Sequence, residues 1–332
     1  MPDAVATTAE RLALEYVLPL RRHDREGEDE LVRYLGDLVA RVDVTVVDGS
    51  ERALFDALSD RLPVSVRHVR PTVGGLNGKA RGAMTGVRLA RHDNVVIADD
   101  DVRYGPRSLE HAARLLADAD FVRLQNAYSA HPWWARWDTA RSLVGRAFGG
   151  DFGGTVAVRR SVLLRAGGYS TDVLFENLEL ERTIRLAGGR VVVAQDVLVP
   201  RIPPTLRHFV GQRVRQAYDD FAQPARLAVE LALLPIAVTA IALRAWRVLG
   251  AVAAAAVAVA EVGRRRGAAR GAIPASAAVW APAWAAERAV TAWVAVVYRV
   301  RGGMPYAGRR IYAAATPQSL LRRRLATGGR TS

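Results

Sequence analysis

The chain has no cysteine in 332 residues and a single lysine, Lys79, among 47 basic side chains. The first absence excludes disulfides and thiolate metal sites, so redox chemistry gives no reading of the compartment. The N-terminal run MPDAVATTAERLALEYVLPLRR has no basic start followed by a long apolar stretch, which argues against a cleaved signal peptide. Acidic residues are scarce in one region only. From Arg226 onward there are 16 arginines against Glu230, Glu261 and Glu287, a net of +13 out of +14 for the whole chain. Residues 1–225 are nearly neutral, with 31 basic and 30 acidic side chains. The cationic excess thus coincides with the most apolar part of the chain. Apolar segments bounded by arginine point to a membrane surface with anionic lipids. They do not point to a groove with base-stacking aromatics, so no nucleic-acid partner is expected.

Short β-like runs and helical patterns alternate over the first 200 residues. Strands are expected at 13–20, 42–49, 64–69, 94–99 and 121–128, and helices at 28–41, 51–60, 77–91 and 107–117. Strands separated by helices imply βαβ units and a mostly parallel sheet with helices on both faces. Runs such as VTVV and NVVIA are continuously apolar, as in strands covered on both sides. A second zone, 129–225, holds the glycine-rich GGDFGGTVAVRR, a helix at 176–187 ending at Gly188-Gly189, and a strand in RVVVA.

The remainder, 226–332, changes character. Segments 227–243 and 248–263 are 17 and 16 residues with one charge each, separated by RAWR. Each is short for a full span of about 20 residues. Arginine at mid-bilayer is expensive, so two helices forming a hairpin, with RAWR at an interface, are preferred to one long helix. GRRRGAARG would then be cytoplasmic by the positive-inside rule. The aromatic-rich stretch 277–300 reads as a helix lying in the interface plane, and the basic tail after it as cytoplasmic. The division expected is therefore an α/β domain over 1–225 and a helical anchor with a basic tail over 226–332.

NVVIADDDVRYG (94–105) carries the chemistry. In α/β sheets, ligands bind outside the carboxyl ends of the strands, which is where Asp48 and Asp99–Asp101 fall. Asp99 and Asp101, two residues apart on an extended segment, would point the same way. Such a pair can hold a hard divalent cation, Mg²⁺ or Mn²⁺, whose other ligands are diphosphate oxygens and water. Asp100 would point elsewhere; it is grouped with the substrate-binding residues without a separate role.

The motifs YVLPLR, VTVVDGS, NGKARGAMTGVRLA, VVIADDDVRY, GGTVAVRRSVLLRAGGY, FENLELERTIRLAGGRV and GQRVRQ occur in the order seen in family-2 glycosyltransferases. The chain resembles that family, with its GT-A fold, over about 14–220, followed by helices as in many membrane-bound members. The resemblance implies that Pro19, Leu20 and Arg21 border the nucleotide, Asp48 binds its base or ribose, and Lys79 lies nearby. It implies Asp99 and Asp101 on metal and diphosphate, Gly153 and Gly154 at the acceptor pocket, and Gln212 and Arg215 by the diphosphate. The donor would be a nucleotide-activated hexose such as a UDP-hexose, the acceptor lipid-linked or membrane-proximal, and the catalytic domain on the cytoplasmic side of the inner membrane.

Two residues depart from the pattern. The family's base is the Asp of a Glu-Asp pair, and Glu176-Asn177 stands there. An amide cannot deprotonate a hydroxyl, so Glu176 or Glu179 is the base, or the acceptor needs none. Gln216 replaces the Trp of Gln-x-x-Arg-Trp. Two alternatives remain: a degenerate binding or scaffolding subunit, or a nucleotidyltransferase. Among other signals, Trp133, Trp134 and Trp137 share one helix face and read as packing, and His131 and His208 read as structural. Ala80 after Lys79 disfavours a P-loop.

Overall fold

The computed structural model describes residues 11–328. The start of the N-terminal run read for a leader, 1–10, and the end of the tail, 329–332, lie outside the described residues. In chain order, β1 (Leu14–Leu20), α1 (Glu28–Leu38), β2 (Asp43–Asp48), α2 (Arg52–Ser59), β3 (Val66–Val69), α3 (Gly78–Leu89), β4 (Asn94–Ala98), α4 (Pro106–Asp118) and β5 (Phe121–Tyr128) alternate as their patterns predict. Then come α5 (Trp133–Ala147), β6 (Thr155–Arg159), α6 (Arg160–Arg165), α7 (Glu176–Leu186), β7 (Val191–Arg201) and α8 (Leu206–Asp219).

The continuous apolar runs are explained by two layers of core. On β4, Val96 and Ala98 enter one cluster with Tyr16, Leu18 and Leu35, while Val95 and Ile97 enter another with Met84 and Val87 of α3. Alternate side chains thus bury on opposite faces.

The seven strands lie in the order β3-β2-β1-β4-β6-β5-β7. All pairings are parallel except those of β6, which runs antiparallel to both β4 and β5. β6 was not foreseen, because its five residues follow a glycine-rich run that reads as loop. Its direction matters for the site. An antiparallel neighbour brings its own beginning beside the end of β4, so Gly154 O accepts a hydrogen bond from Asp99 N at 2.8 Å.

The C-terminal region comprises α9 (Pro224–Ala242), α10 (Trp246–Arg264), α11 (Ala269–Ala272), α12 (Ser276–Val279), α13 (Ala281–Val300), β8 (Met304–Tyr306), β9 (Arg309–Ile311) and α14 (Gln318–Gly328). Both apolar helices run to 19 residues, longer than their apolar cores and close to a bilayer span. A tight turn separates them, with Arg244 at φ 52° and Ala245 N bonded to Ala240 O at 2.7 Å. Val229, Val238, Ile241, Leu243 and Trp246 are exposed, unlike the apolar residues of the sheet.

Only one face of the helix in 277–300 is free to lie at an interface. One face of α13 docks on α5 and α8, burying Trp284, Arg288, Ala292 and Ala295. Glu287 accepts from Trp137 Nε1 at 2.8 Å and pairs with Arg213 at 3.4 Å, while Arg288 approaches Asp220 at 3.5 Å. Only the opposite face, with Trp293, Val294 and Val297, is exposed. Charges that read as an interfacial pattern are the docking contacts themselves. The residues after α13 also return to α7 and the loop before it: Leu174 N bonds Ala313 O, and Thr316 N bonds Glu179 Oε2 at 2.7 Å.

Candidate active site

The cleft opens at the carboxyl ends of β1 and β4. Asp99, Asp100 and Asp101 follow β4 in a turn closed by Val102 N on Asp99 O at 3.1 Å. The segment is therefore not extended, yet the two outer carboxylates still converge, because both face Arg201 at the end of β7. Asp101 Oδ2 lies 2.8 Å from its Nε and Asp99 Oδ2 3.6 Å from its NH2. A Cβ on Gly154 would stand 2.8 Å from Asp99 Oδ2, so glycine there lets β6 approach the pair.

Lys79 is set by the start of α3. The Asn77 side chain caps that helix, accepting from Lys79 N at 3.0 Å and Ala80 N at 3.2 Å, and its amide is anchored on Val173 O at 2.9 Å. The ammonium then sits between Asp99 Oδ1 at 2.5 Å and Glu176 Oε1 at 2.8 Å. Burial opposes its charge, but the two carboxylates outweigh it and raise its pKa. Asp100, between Asp99 and Asp101, has an exposed side chain. Burial raises the pKa of Asp101 against the pull of Arg201. Asp101 Oδ1 is sealed from solvent and has no hydrogen-bond partner.

Two connected chambers share Lys79, Asp99, Glu176, Arg201, Gln212 and Arg215 as their common wall. The larger, about 380 Å³, is bordered by Pro19, Leu20, Arg21 and the aspartate turn. The smaller, about 110 Å³, runs past Gly153 to the end of α8.

Most residues singled out in the sequence meet here; Asp48 and Glu179 do not, and Gly154 is buried against Asp99 without lining either chamber. Asp48 pairs with Leu20 across the sheet, but its side chain is fully buried, accepting from Ser50 N at 2.8 Å and contacting His68 Nε2 at 3.2 Å. A carboxylate so engaged does not line the cleft. It instead fixes the turn whose Ser50 Oγ receives Arg22 N at 2.8 Å. Glu179 is also fully buried, one turn into α7, and holds Thr316 N. Glu176, at the first residue of that helix, does face the cleft. Asn177 donates to Gly153 O at 3.1 Å.

The cleft also receives Arg201 and Tyr306, which no motif marked, and His208, which read as structural. Arg201 lay inside a strand read only as RVVVA. His208 lines the larger chamber beside Gln212; burial, then Arg215, lower its pKa. Tyr306 comes back from the tail, its hydroxyl 3.3 Å from Asn77 Oδ1. Asn77 carried the one readable signal, an Asn immediately before a helical pattern. Trp137 packs as expected, stacking on Trp280 between α5 and the C-terminal helices, while Trp133 stacks on Trp280 but stays 45% exposed.

A mostly parallel sheet of this order, with paired aspartates after its fourth strand and cationic side chains converging on them, defines a GT-A glycosyltransferase site. The chain belongs to the glycosyltransferase-like family 2, whose family model matches residues 38–219. Its structure is similar to that of a mannosyltransferase from Pyrobaculum calidifontis in complex with GDP-Man and Mn²⁺, at 22% identity and TM-score 0.52, over 85% of this chain and 87% of that one. It is more distantly similar to TarS of S. aureus in complex with UDP-GlcNAc, at 14% identity and TM-score 0.43, over 60% of this chain and 61% of that one. A glucosyl-3-phosphoglycerate synthase from Mycobacterium tuberculosis, in complex with Mn²⁺, UDP and phosphoglyceric acid, gives 21% identity and TM-score 0.39, over 59% of this chain and 73% of that one. No curated protein matches the chain.

Proposed function

We propose that this glycosyltransferase is metal-dependent and inverting, and that it moves a hexose from a nucleoside diphosphate sugar, first a UDP-hexose, to a lipid-linked or membrane-proximal acceptor. The observation that carries the reading is the convergence of Asp99 and Asp101 on one side of a cleft whose other walls present Lys79, Arg201 and Arg215. Among the described residues no cluster of three His, Asp or Glu could hold an ion alone. Two carboxylates suit a cation that keeps water and takes substrate phosphates as its remaining ligands. The unpartnered, buried Asp101 Oδ1 fits such a ligand. When bound, Mg²⁺ or Mn²⁺ supplies Lewis-acid charge at the departing diphosphate.

The protein's own groups supply the rest. Pro19, Leu20 and Arg21 flank the nucleotide. Gln212, Arg215 and Lys79 offer donors to the diphosphate, preorganised so that no reorientation is needed as charge develops. Gly153 borders the acceptor, whose oxygen attacks the anomeric carbon in line from the smaller chamber. The leaving group is already ionised, so no second acid is needed. In-line displacement at one centre inverts the anomeric configuration.

The membrane part rests on α9 and α10, whose apolar side chains face outward. Two spans return the chain to its starting side. The Arg264–Arg266 cluster and the catalytic domain would then share the cytoplasmic side of the inner membrane. The test is transfer from a panel of nucleotide sugars to a membrane lipid extract with Mn²⁺, with Asp101→Ala as control. Equal transfer to soluble acceptors would remove the lipid-linked acceptor, and metal-independent transfer would remove the cation.

A further inference from the structure

The position of the family's base is occupied by Asn177, whose amide is engaged by Gly153 O. Resting on the donor and acceptor reading above, we propose that Asp219, the last residue of α8, is the acceptor base of this cleft, and that the acceptor is a neutral hydroxyl rather than a phosphate.

Five carboxylates line the smaller chamber: Asp99, Asp151, Glu176, Asp219 and Asp220. Four are committed. Asp99 and Glu176 share Lys79. Asp151 receives both ends of the Arg141 guanidinium at 2.9 and 3.1 Å. Asp220 faces Arg226 at 3.2 Å and Arg288 at 3.5 Å. Of these five, Asp219 alone has a side chain with neither a hydrogen bond nor an ion pair, and its Oδ1 is shielded from solvent. A buried acceptor left in this state is costly unless a ligand's hydroxyl completes it.

Its surroundings suit the role. Burial raises its pKa, Arg215 on the same helix works against that, and Glu176 of α7 with Asp220 adds to it, leaving it pushed up to about 7. Arg288 of α13 opposes the rise more weakly, and Arg141 and Arg226 line the same chamber. A base poised near the operating pH combines the right protonation state with enough proton affinity. In the step, the acceptor O–H bond breaks and its proton passes to the Asp219 carboxylate. The acceptor oxygen forms the new bond to the anomeric carbon. The bond from that carbon to the diphosphate oxygen breaks, and its electron pair leaves with the nucleoside diphosphate.

The experiment compares the unsubstituted enzyme, Asp219→Asn and Asp219→Gly with the best donor and acceptor. Asp219→Asn is expected to bind UDP and Mn²⁺ as the unsubstituted enzyme does by calorimetry, and to lose about 10²–10⁴-fold in kcat, the usual worth of a general base. Added formate or azide should restore part of the activity of Asp219→Gly. In the unsubstituted enzyme kcat should fall as the pH drops below about 7, a dependence the Asn variant loses. An Asn variant with near-normal kcat overturns the proposal. So does a kcat of the unsubstituted enzyme that is flat across that range, which decides the matter even if the variants do not fold. An enzyme that transfers no sugar from any nucleotide donor overturns instead the donor and acceptor reading on which this rests.

Discussion

At the scale of residues, the aspartate turn is asymmetric. Asp101 has a buried free oxygen and an arginine partner, whereas Asp100 shares the turn without either contact. Asp101→Asn is expected to weaken Mn²⁺-dependent UDP binding by more than the ~10–100-fold that loss of an outer-shell partner costs. Asp100→Asn should leave it near the unsubstituted value; calorimetry with and without Mn²⁺ separates the two. Lys79 explains the chain's single lysine in the same way. A compact ammonium fits between Asp99 at 2.5 Å and Glu176 at 2.8 Å, where a planar guanidinium would have to displace one of them. Lys79→Arg should therefore lower UDP affinity and kcat/KM although the charge is kept. Unchanged steady-state constants would show that charge alone matters there.

At the scale of elements, α5, α8 and α13 are tied by one buried charge network. Asp138 of α5 contacts Arg213 of α8 at 2.5 Å and Arg141 at 3.4 Å and accepts from Tyr128 at 2.7 Å, and Arg213 continues to Glu287 of α13. Burial opposes the Asp138 charge, but Arg213 and Arg141 outweigh it and hold its carboxyl well below the usual range. A depressed native pKa contributes stability that is complete above the unfolded value, about 4, and is lost as the pH falls below it. Asp138→Asn leaves Arg213 without its nearest partner and should cost about 3–5 kcal/mol at neutral pH. In urea unfolding, the gap between the two proteins should close as the pH is lowered below about 4. A constant gap would mean that Asp138 acts by shape rather than charge.

At the scale of the whole molecule, apolar surface is distributed unevenly. The sheet buries its apolar side chains, while α9 and α10 display theirs. Exposed apolar area of this kind marks a membrane or partner surface. The full chain should float with liposomes containing anionic lipid, more strongly at low salt because of the arginines beyond α10. Val238→Arg with Ile241→Arg should reduce flotation while leaving UDP binding intact, since both lie far along α9 from the cleft residues. Flotation unaffected by these changes would move the membrane contact elsewhere, with the exposed face of α13 the next place to test.

The sequence by itself determined the alternating elements, because period-2 and period-3.6 patterns report burial directly. Its ordered motifs also marked the cleft residues of β1, the aspartate turn, Lys79, Glu176, Gln212 and Arg215. It did not show β6, since the five residues TVAVR behind a run of glycines look like a loop until β4 and β5 pair with them. Tertiary structure alone decided which charged residues meet. Arg201, Tyr306 and Asp219 are far from Asp99 in the chain, and no local pattern records that strand direction and helix docking bring them to one cleft. The same geometry withdrew Asp48 and Glu179, because a carboxylate satisfied by internal donors looks identical in sequence to one that waits for a ligand.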